Sequence, residues 1–267
     1  MLPRVLVIAG SDSGGGAGIQ GDMHTIAALE GYATTAITAL TAQNTQGVTA
    51  VHAAPVDFVV AQIDAILSDI GADSIKTGML YSAEIIEAVA VRLKGENMPL
   101  ILDPVMIAKG GSPLLQAEAV AALKEKLIPR ATLLTPNLPE AEALTGITLV
   151  KNPSNEALLD MAKALKALGA QAVLLKGGHG TSDDLVDVLL DADDKVHYFT
   201  SKRIDTPHTH GTGCAYASAI ATLIHAEPSM AAAVEKAHHF IKLAIENAPQ
   251  IGSGHGPINH HKAAALL

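Results

Sequence analysis

The sequence predicts an α/β domain of three layers, a mostly parallel central sheet between two layers of helices, with an antiparallel edge hairpin. Three observations lead there. Short β-rich runs alternate with longer helical patterns along the chain, the order produced when strands are joined through crossover helices. The runs 5–9, 100–102 and 172–175 are apolar at every position, as parallel strands covered on both faces are. The stretch 185–200 differs: two short runs flank Asp191-Ala192-Asp193-Asp194 and read as a hairpin.

In chain order, a strand at 5–10 ends on Gly10-Ser11-Asp12, and a helix at 17–30 follows a glycine run. Strands are then expected at 34–40, 73–77, 100–103 and 132–135, with helices at 56–70, 82–94, 113–127 and 138–145. In the helix at 154–168, Ala157, Leu158, Met161, Leu165 and Leu168 recur at spacings of three and four behind Ser154, a natural N-cap. A strand at 172–176 leads to the hairpin strands 185–190 and 196–200, and helices at 212–225 and 229–247 follow. No Pro/Ser-rich linker, repeat or low-complexity segment interrupts the chain, so 1–267 is expected to be a single domain.

Composition excludes several classes of function. With 49% hydrophobic residues among 267, disorder is out. There are 27 Asp+Glu against 18 Lys+Arg, a net charge of −9, which argues against broad contact with a nucleic-acid backbone. Any phosphate chemistry therefore needs a local site and a divalent cation. One cysteine rules out an intramolecular disulfide and any Cys-rich metal site. The first apolar run is too short for a signal peptide, and no run has the length of a membrane span, so a soluble cytoplasmic protein is expected. Adjacent histidines such as His238-His239 and His260-His261 diverge on a helix, which argues against a structural zinc site there.

Ligands of parallel α/β sheets collect beyond the carboxyl ends of the strands. Those positions hold Gly10-Ser11-Asp12, Thr41-Ala42-Gln43-Asn44, Gly78-Met79, Asp103-Pro104-Val105, Pro136-Asn137 and Gly177-Gly178. The run Gly14-Gly15-Gly16-Ala17-Gly18 contains a formal G-x-G-x-x-G, but no carboxylate follows at the next strand end, as a dinucleotide site requires. It reads either as a turn bringing a helix close to the sheet or as a ligand-covering loop. There is no Walker A sequence. In Asp205-Thr206-Pro207-His208-Thr209-His210-Gly211-Thr212-Gly213-Cys214, proline and glycines delay the next helix, so Gly211–Cys214 should form its N-terminus. Free amides and the helix dipole make that an anion site. Cys214 there is expected to have a depressed pKa.

Taken together, the motifs resemble those of the bacterial hydroxymethylpyrimidine/phosphomethylpyrimidine kinase family of thiamine biosynthesis, in the ribokinase superfamily. The matching stretches are Ala9-Gly10-Ser11-Asp12-Ser13 with Gly15-Gly16-Ala17-Gly18-Ile19-Gln20, and Thr38-Ala39-Leu40-Thr41-Ala42-Gln43-Asn44-Thr45. Lys76-Thr77-Gly78-Met79-Leu80, Asp103-Pro104-Val105-Met106 and Thr135-Pro136-Asn137-Leu138-Pro139-Glu140 follow. Lys176-Gly177-Gly178-His179, His210-Gly211-Thr212-Gly213-Cys214 and the tail Gly254-His255-Gly256-Pro257 complete the set. Gly14, Gly21 and Asp205 depart from the pattern.

The resemblance implies a ribokinase-like αβα fold, a homodimer, and transfer of phosphoryl groups from ATP with Mg²⁺. The substrate implied is 4-amino-5-hydroxymethyl-2-methylpyrimidine, an alcohol acceptor, then its monophosphate, a phosphate acceptor. No nucleic-acid or membrane partner is implied. By the same resemblance Gln43 reads the pyrimidine, its amide offering an acceptor and a donor, and Gly10, Asp22, Met79 and Val105 complete the pocket. Lys176 meets nucleotide phosphate. Asn137 and Glu140 match an N-x-x-E that organises Mg²⁺ through water, joined by Asp103. Cys214 stands where most superfamily members place an aspartate base, and the amides of Gly211, Thr212, Gly213 and Cys214 are expected to carry more of the rate than the thiol. Two other readings remain open: a pyridoxine/pyridoxal kinase, and a non-catalytic nucleotide-binding protein on the same fold.

Overall fold

The structure, a computed structural model, describes residues 2–106, 117–178 and 183–267. Its strands are β1 (Arg4–Asp12), β2 (Tyr32–Asn44), β3 (Gly47–Ala53), β4 (Ser74–Thr77) and β5 (Leu100–Leu102). They continue as β6 (Leu133–Leu134), β7 (Val173–Leu175), β8 (Asp184–Leu190) and β9 (Val196–Lys202). All nine form one sheet in the order β3-β2-β1-β4-β5-β6-β7-β8-β9. The six from β2 to β7 run parallel, while β3, β8 and β9 each pair antiparallel with their neighbours.

Alternate residues of the central strands feed two cores. Leu6, Ile8, Leu100 and Leu102 face α2 (Val56–Asp69), α3 (Ala83–Arg92), α4 (Ala117–Ala122), α5 (Leu138–Thr145) and α6 (Asn155–Lys166). Val5, Val7, Ala9 and Ile101 face α1 (Gly18–Ala28), α7 (Thr212–Leu223), α8 (Met230–Glu246) and α9 (His260–Leu266). The three-layer expectation holds, and so does the hairpin, seen as β8 and β9. Every residue of α7 from Ala215 to Leu223 is buried. Its small side chains let this central helix lie close to the sheet, where Ser74 donates to the Ala221 carbonyl at 2.7 Å.

Three elements differ from the sequence reading; one is α9, since no helix was expected after 247. The hairpin of β2 and β3 gives the sheet a second antiparallel edge. Thr49, Ala50, Val51 and His52 in β3 are all exposed, so no alternation of polar and apolar residues announces a strand. The helix expected at 113–127 appears as α4 continued by a wider π turn, Leu123–Leu127, and a 3-10 turn, Ile128–Arg130. Residues 113–116 lie outside the described residues. No helix among the described residues is long and apolar enough to cross a membrane.

Candidate active site

After β1 the chain passes to β2 on one side of it, and returns to β4 on the other. Such a switch in strand order opens a crevice at the carboxyl ends. There lies a cleft of about 690 Å³. Of the residues expected at the site, Gly10, Gln43, Met79, Val105, Asp103, Asn137, Glu140, Lys176 and Gly211 to Cys214 all line it. Asp22 does not.

The helix start is built by glycine. Gly211 caps α7 in the left-handed conformation, φ 81°, and a Cβ there would run into the Gly16 carbonyl of the first glycine turn. The first full helical bond runs from Ala215 N–H to the Gly211 carbonyl at 2.9 Å, so the amides of Gly213 and Cys214 precede the ladder and are available to a ligand. A Cβ on Gly213 would stand 3.3 Å from Lys176 Nζ. The turn at 14–18 thus closes α1 and α7 onto the end of β1, as the first of its two sequence readings expected.

Around Lys176 the charges are organised by secondary structure. Lys176 Nζ donates to Asp103 Oδ1 at 2.9 Å, an oxygen that also receives the Thr135 hydroxyl at 3.2 Å. Burial works against the charge on Lys176, but Asp103 and Glu140 outweigh it. Asn137 and Glu140 form a capping box on α5, each side chain accepting the other's backbone N–H at 2.9 Å. Burial pushes the Glu140 carboxyl up to about 7, with Lys176 pulling the other way. Three or more His, Cys, Asp or Glu gathered as a metal cage are not found among the described residues. Two carboxylates beside a lysine suit a hard cation that keeps its waters and takes its other ligands from phosphates.

Beneath this surface lies an ion pair that the sequence reading did not assemble. Lys76 and Asp22 are both 0% exposed; Nζ donates to the two carboxylate oxygens at 2.9 and 2.8 Å, and Ser218 Oγ donates to one of them at 2.7 Å. Burial opposes the charge on Lys76, but Asp22 outweighs it. Asp22, expected in the pocket wall, is therefore a buried partner of Lys76, and Lys76 is the member that reaches the cleft. A lysine inside a strand expected within the central sheet, 73–77, was the available signal, because lysine is almost never fully buried unless paired.

The charge state of Cys214 also departs from expectation. Helix-start amides were expected to depress its pKa. Although the residue reaches the cleft, protein encloses most of it, and burial pushes the thiol up to about 11 against the pull of Lys76. Asp22 and Asp103 raise it further.

A second missed pair joins Asp12 to His210. His210 Nε2 stands 2.8 Å from Asp12 Oδ2, and the carboxylate accepts the N–H groups of Gly14 and Ala17 at 2.8 and 2.9 Å. Burial alone would raise the Asp12 carboxyl; the His210 bond and the two amides hold it below the usual carboxylate range. Gln43 lies beside this pair, its amide 3.2 Å from His210 Nε2. The tail seats the same loop: His210 N–H donates to the Gly256 carbonyl at 3.1 Å.

Residues 12–259 match the family model described as phosphomethylpyrimidine kinase. The chain belongs to that family. It is 50% identical over 264 residues to the hydroxymethylpyrimidine/phosphomethylpyrimidine kinase of Haemophilus influenzae, covering 97% of each chain. Identity to the thiamine biosynthesis bifunctional protein ThiED of Geobacter sulfurreducens is 49% over 266 residues, 98% of this chain and 54% of that one. The chain thus spans about half of the bifunctional relative and nearly all of the monofunctional one. Among solved structures, Bacillus subtilis pyridoxal kinase in its ADP complex has a TM-score of 0.89 and 36% identity, covering 98% of both chains. The chain is a kinase with a ribokinase-like fold, as its motifs indicated.

Proposed function

We propose that this kinase transfers the γ-phosphoryl group of ATP to the hydroxymethyl oxygen of 4-amino-5-hydroxymethyl-2-methylpyrimidine, and then to the phosphate of the product, serving thiamine biosynthesis. The observation that carries the reading is a single cleft lined both by the amide of Gln43 and by a phosphate-binding set, Lys176 with the open amides of Gly213 and Cys214. A neutral amide suits an aminopyrimidine edge, which presents one donor and one acceptor.

In each step the acceptor oxygen forms a bond to the γ-phosphorus, the bond to the bridging oxygen breaks, and ADP leaves with the negative charge. Lys176 and the two amides meet the charge on the transferring group. A thiol held near 11 is protonated at neutral pH, so Cys214 supplies its amide first and its sulfur second. The alcohol proton leaves late, as a loose transition state permits, and passes to an oxygen of the transferred phosphoryl group or to water. Asp103 and Glu140 would hold Mg²⁺ through water, and the ion when bound neutralises the β- and γ-phosphates. The second step needs a phosphate to sit where an alcohol sat, which backbone amides allow without change of shape. The family resemblance further implies a cytoplasmic homodimer.

The likeness to a pyridoxal kinase favours one second reading, phosphorylation of pyridoxal in the same cleft. Product analysis with ATP and Mg²⁺, offering the pyrimidine alcohol, its monophosphate and pyridoxal side by side, tests both. The proposal expects the pyrimidine diphosphate from the first two, and faster turnover of these than of pyridoxal. Turnover of pyridoxal alone would overturn it.

A further inference from the structure

The protons around Gln43 form a closed network. Its backbone is clamped by one side chain: Gln43 N–H donates to Ser13 Oγ and Ser13 Oγ donates to the Gln43 carbonyl, both at 2.8 Å. A register shift between Ala42 and Gln43 re-aims the end of β2 at the same place. The side-chain amide then ends between two polar atoms, Thr41 Oγ1 and His210 Nε2, each 3.2 Å away. The two ends of a primary amide have nearly the same shape, so their partners decide which is oxygen.

Both partners are already committed. Asp12 is an acceptor-only carboxylate that receives two backbone N–H groups, and His210 Nε2 lies 2.8 Å from its Oδ2, so Nε2 carries a proton and has no lone pair to offer. Thr41 Oγ1 has one proton and spends it on the Ser11 carbonyl at 2.9 Å, so toward Gln43 it can only accept. With the amide nitrogen on the His210 side, as placed in this structure, two donors would face each other and the one threonine proton would have to serve two acceptors. Turned over, the amide satisfies everything: NH₂ donates to Thr41 Oγ1, and the His210 N–H forks between Asp12 and the Gln43 carbonyl.

We propose that Asp12, through His210, and Thr41 are positioning residues that fix the orientation of the Gln43 amide and thereby make the site read an amino edge and reject an oxo edge. The proposal rests on Gln43 as the pyrimidine reader. Once locked, the amide keeps one lone pair on the His210 side and one N–H on the Thr41 side. A 4-aminopyrimidine matches them with its amino group and ring nitrogen in that order. The 4-oxo counterpart presents a carbonyl and a ring N–H, which sets acceptor against acceptor and donor against donor. The glycine turn supports the lock, since a Cβ on Gly16 would collide with the imidazole of His210.

Steady-state kinetics of the full-length enzyme on 4-amino-5-hydroxymethyl-2-methylpyrimidine and its 4-oxo counterpart test this, with Gln43→Leu, Thr41→Val, Thr41→Ser and His210→Phe as variants. Thr41→Val and His210→Phe should raise KM for the amino substrate about three- to tenfold. They should leave kcat near that of the parent and shrink the preference for amino over oxo by at least the same factor. Thr41→Ser should restore both KM and preference. If Thr41→Val and His210→Phe lose rate on the two substrates equally, with the preference intact, they merely support the fold and the positioning role is overturned. Gln43→Leu separates the two levels of inference: an unchanged KM there refutes Gln43 as reader, whereas a raised KM with intact preference in the other variants refutes only the lock.

Discussion

Cys214 occupies the third position of α7, where free amides favour negative charge, yet its thiol is held near 11. Desolvation outweighs the helix start because protein surrounds the sulfur, and Asp22 and Asp103 add to it. Iodoacetamide should therefore modify the native protein slowly at pH 7, with the rate still climbing through pH 9; a plateau below about pH 8.5, the range of a free thiol, would contradict the enclosed thiol. Catalysis should follow the backbone more than the sulfur. Gly213→Ala places a methyl group 3.3 Å from Lys176 Nζ and should lower kcat by about a hundredfold, the scale of a misplacement of one ångström. Cys214→Ser keeps the amide, and its loss should stay below the roughly hundredfold minimum of a lost general base. Steady-state rates of the two variants give the order. The location of Cys214 was legible in G-x-G before a helix, but its charge state was not, because the groups that set it come from β4, α1 and the end of β5.

At the scale of elements, the pair Lys76–Asp22 with Ser218 ties β4, α1 and α7 beneath the cleft. Asp22→Ala would leave a buried ammonium without its partner and should cost about 3–5 kcal/mol, while Asp22→Leu with Lys76→Met should recover most of that. Urea unfolding midpoints at constant slope measure both; equal losses in the single and double variants would mean that the pair is not the staple. α9 carries a pH-sensitive contact. His260 bonds Thr25 Oγ1 on α1 through Nδ1 at 3.0 Å and leaves Nε2 buried without a partner, and the ring of His24 lies 5.8 Å from that of His260 and 6.0 Å from that of His261. Burial, helped by His24 and His261, lowers its pKa from 6.5 to about 4. Between those values the unfolded chain binds the proton and the fold does not, so stability falls as pH drops from 6.5 to 4, by up to about 3 kcal/mol. His260→Asn should flatten that part of the stability–pH curve, read from thermal melts; an unchanged slope would remove His260 as the cause. Helices with caps, such as the one behind Ser154, were legible because the signal is local. The exposed β3 offered no such signal.

At the scale of the molecule, the described residues form one nine-stranded sheet that draws strands from residue 4 to residue 202, and the helices of both faces pack on it. Calorimetry should accordingly show one cooperative transition, and two resolved transitions would divide the chain into domains. ADP at a hundred times its Kd should stabilise the fold by about 2.7 kcal/mol and raise Tm by several degrees. An unmoved Tm at saturating ADP would count against nucleotide binding in the cleft. Layering, parallel strands, the start of α7 and the gathering of cleft-lining residues at strand ends were all readable from residue order, since each depends on neighbours a few positions away. The pairs Lys76–Asp22 and His210–Asp12 were not, since their members stand 54 and 198 residues apart and meet only when the sheet closes. Charge states followed the same rule. How far burial shifts a carboxyl or a thiol depends on which distant groups the fold brings beside it, and that is settled by tertiary packing.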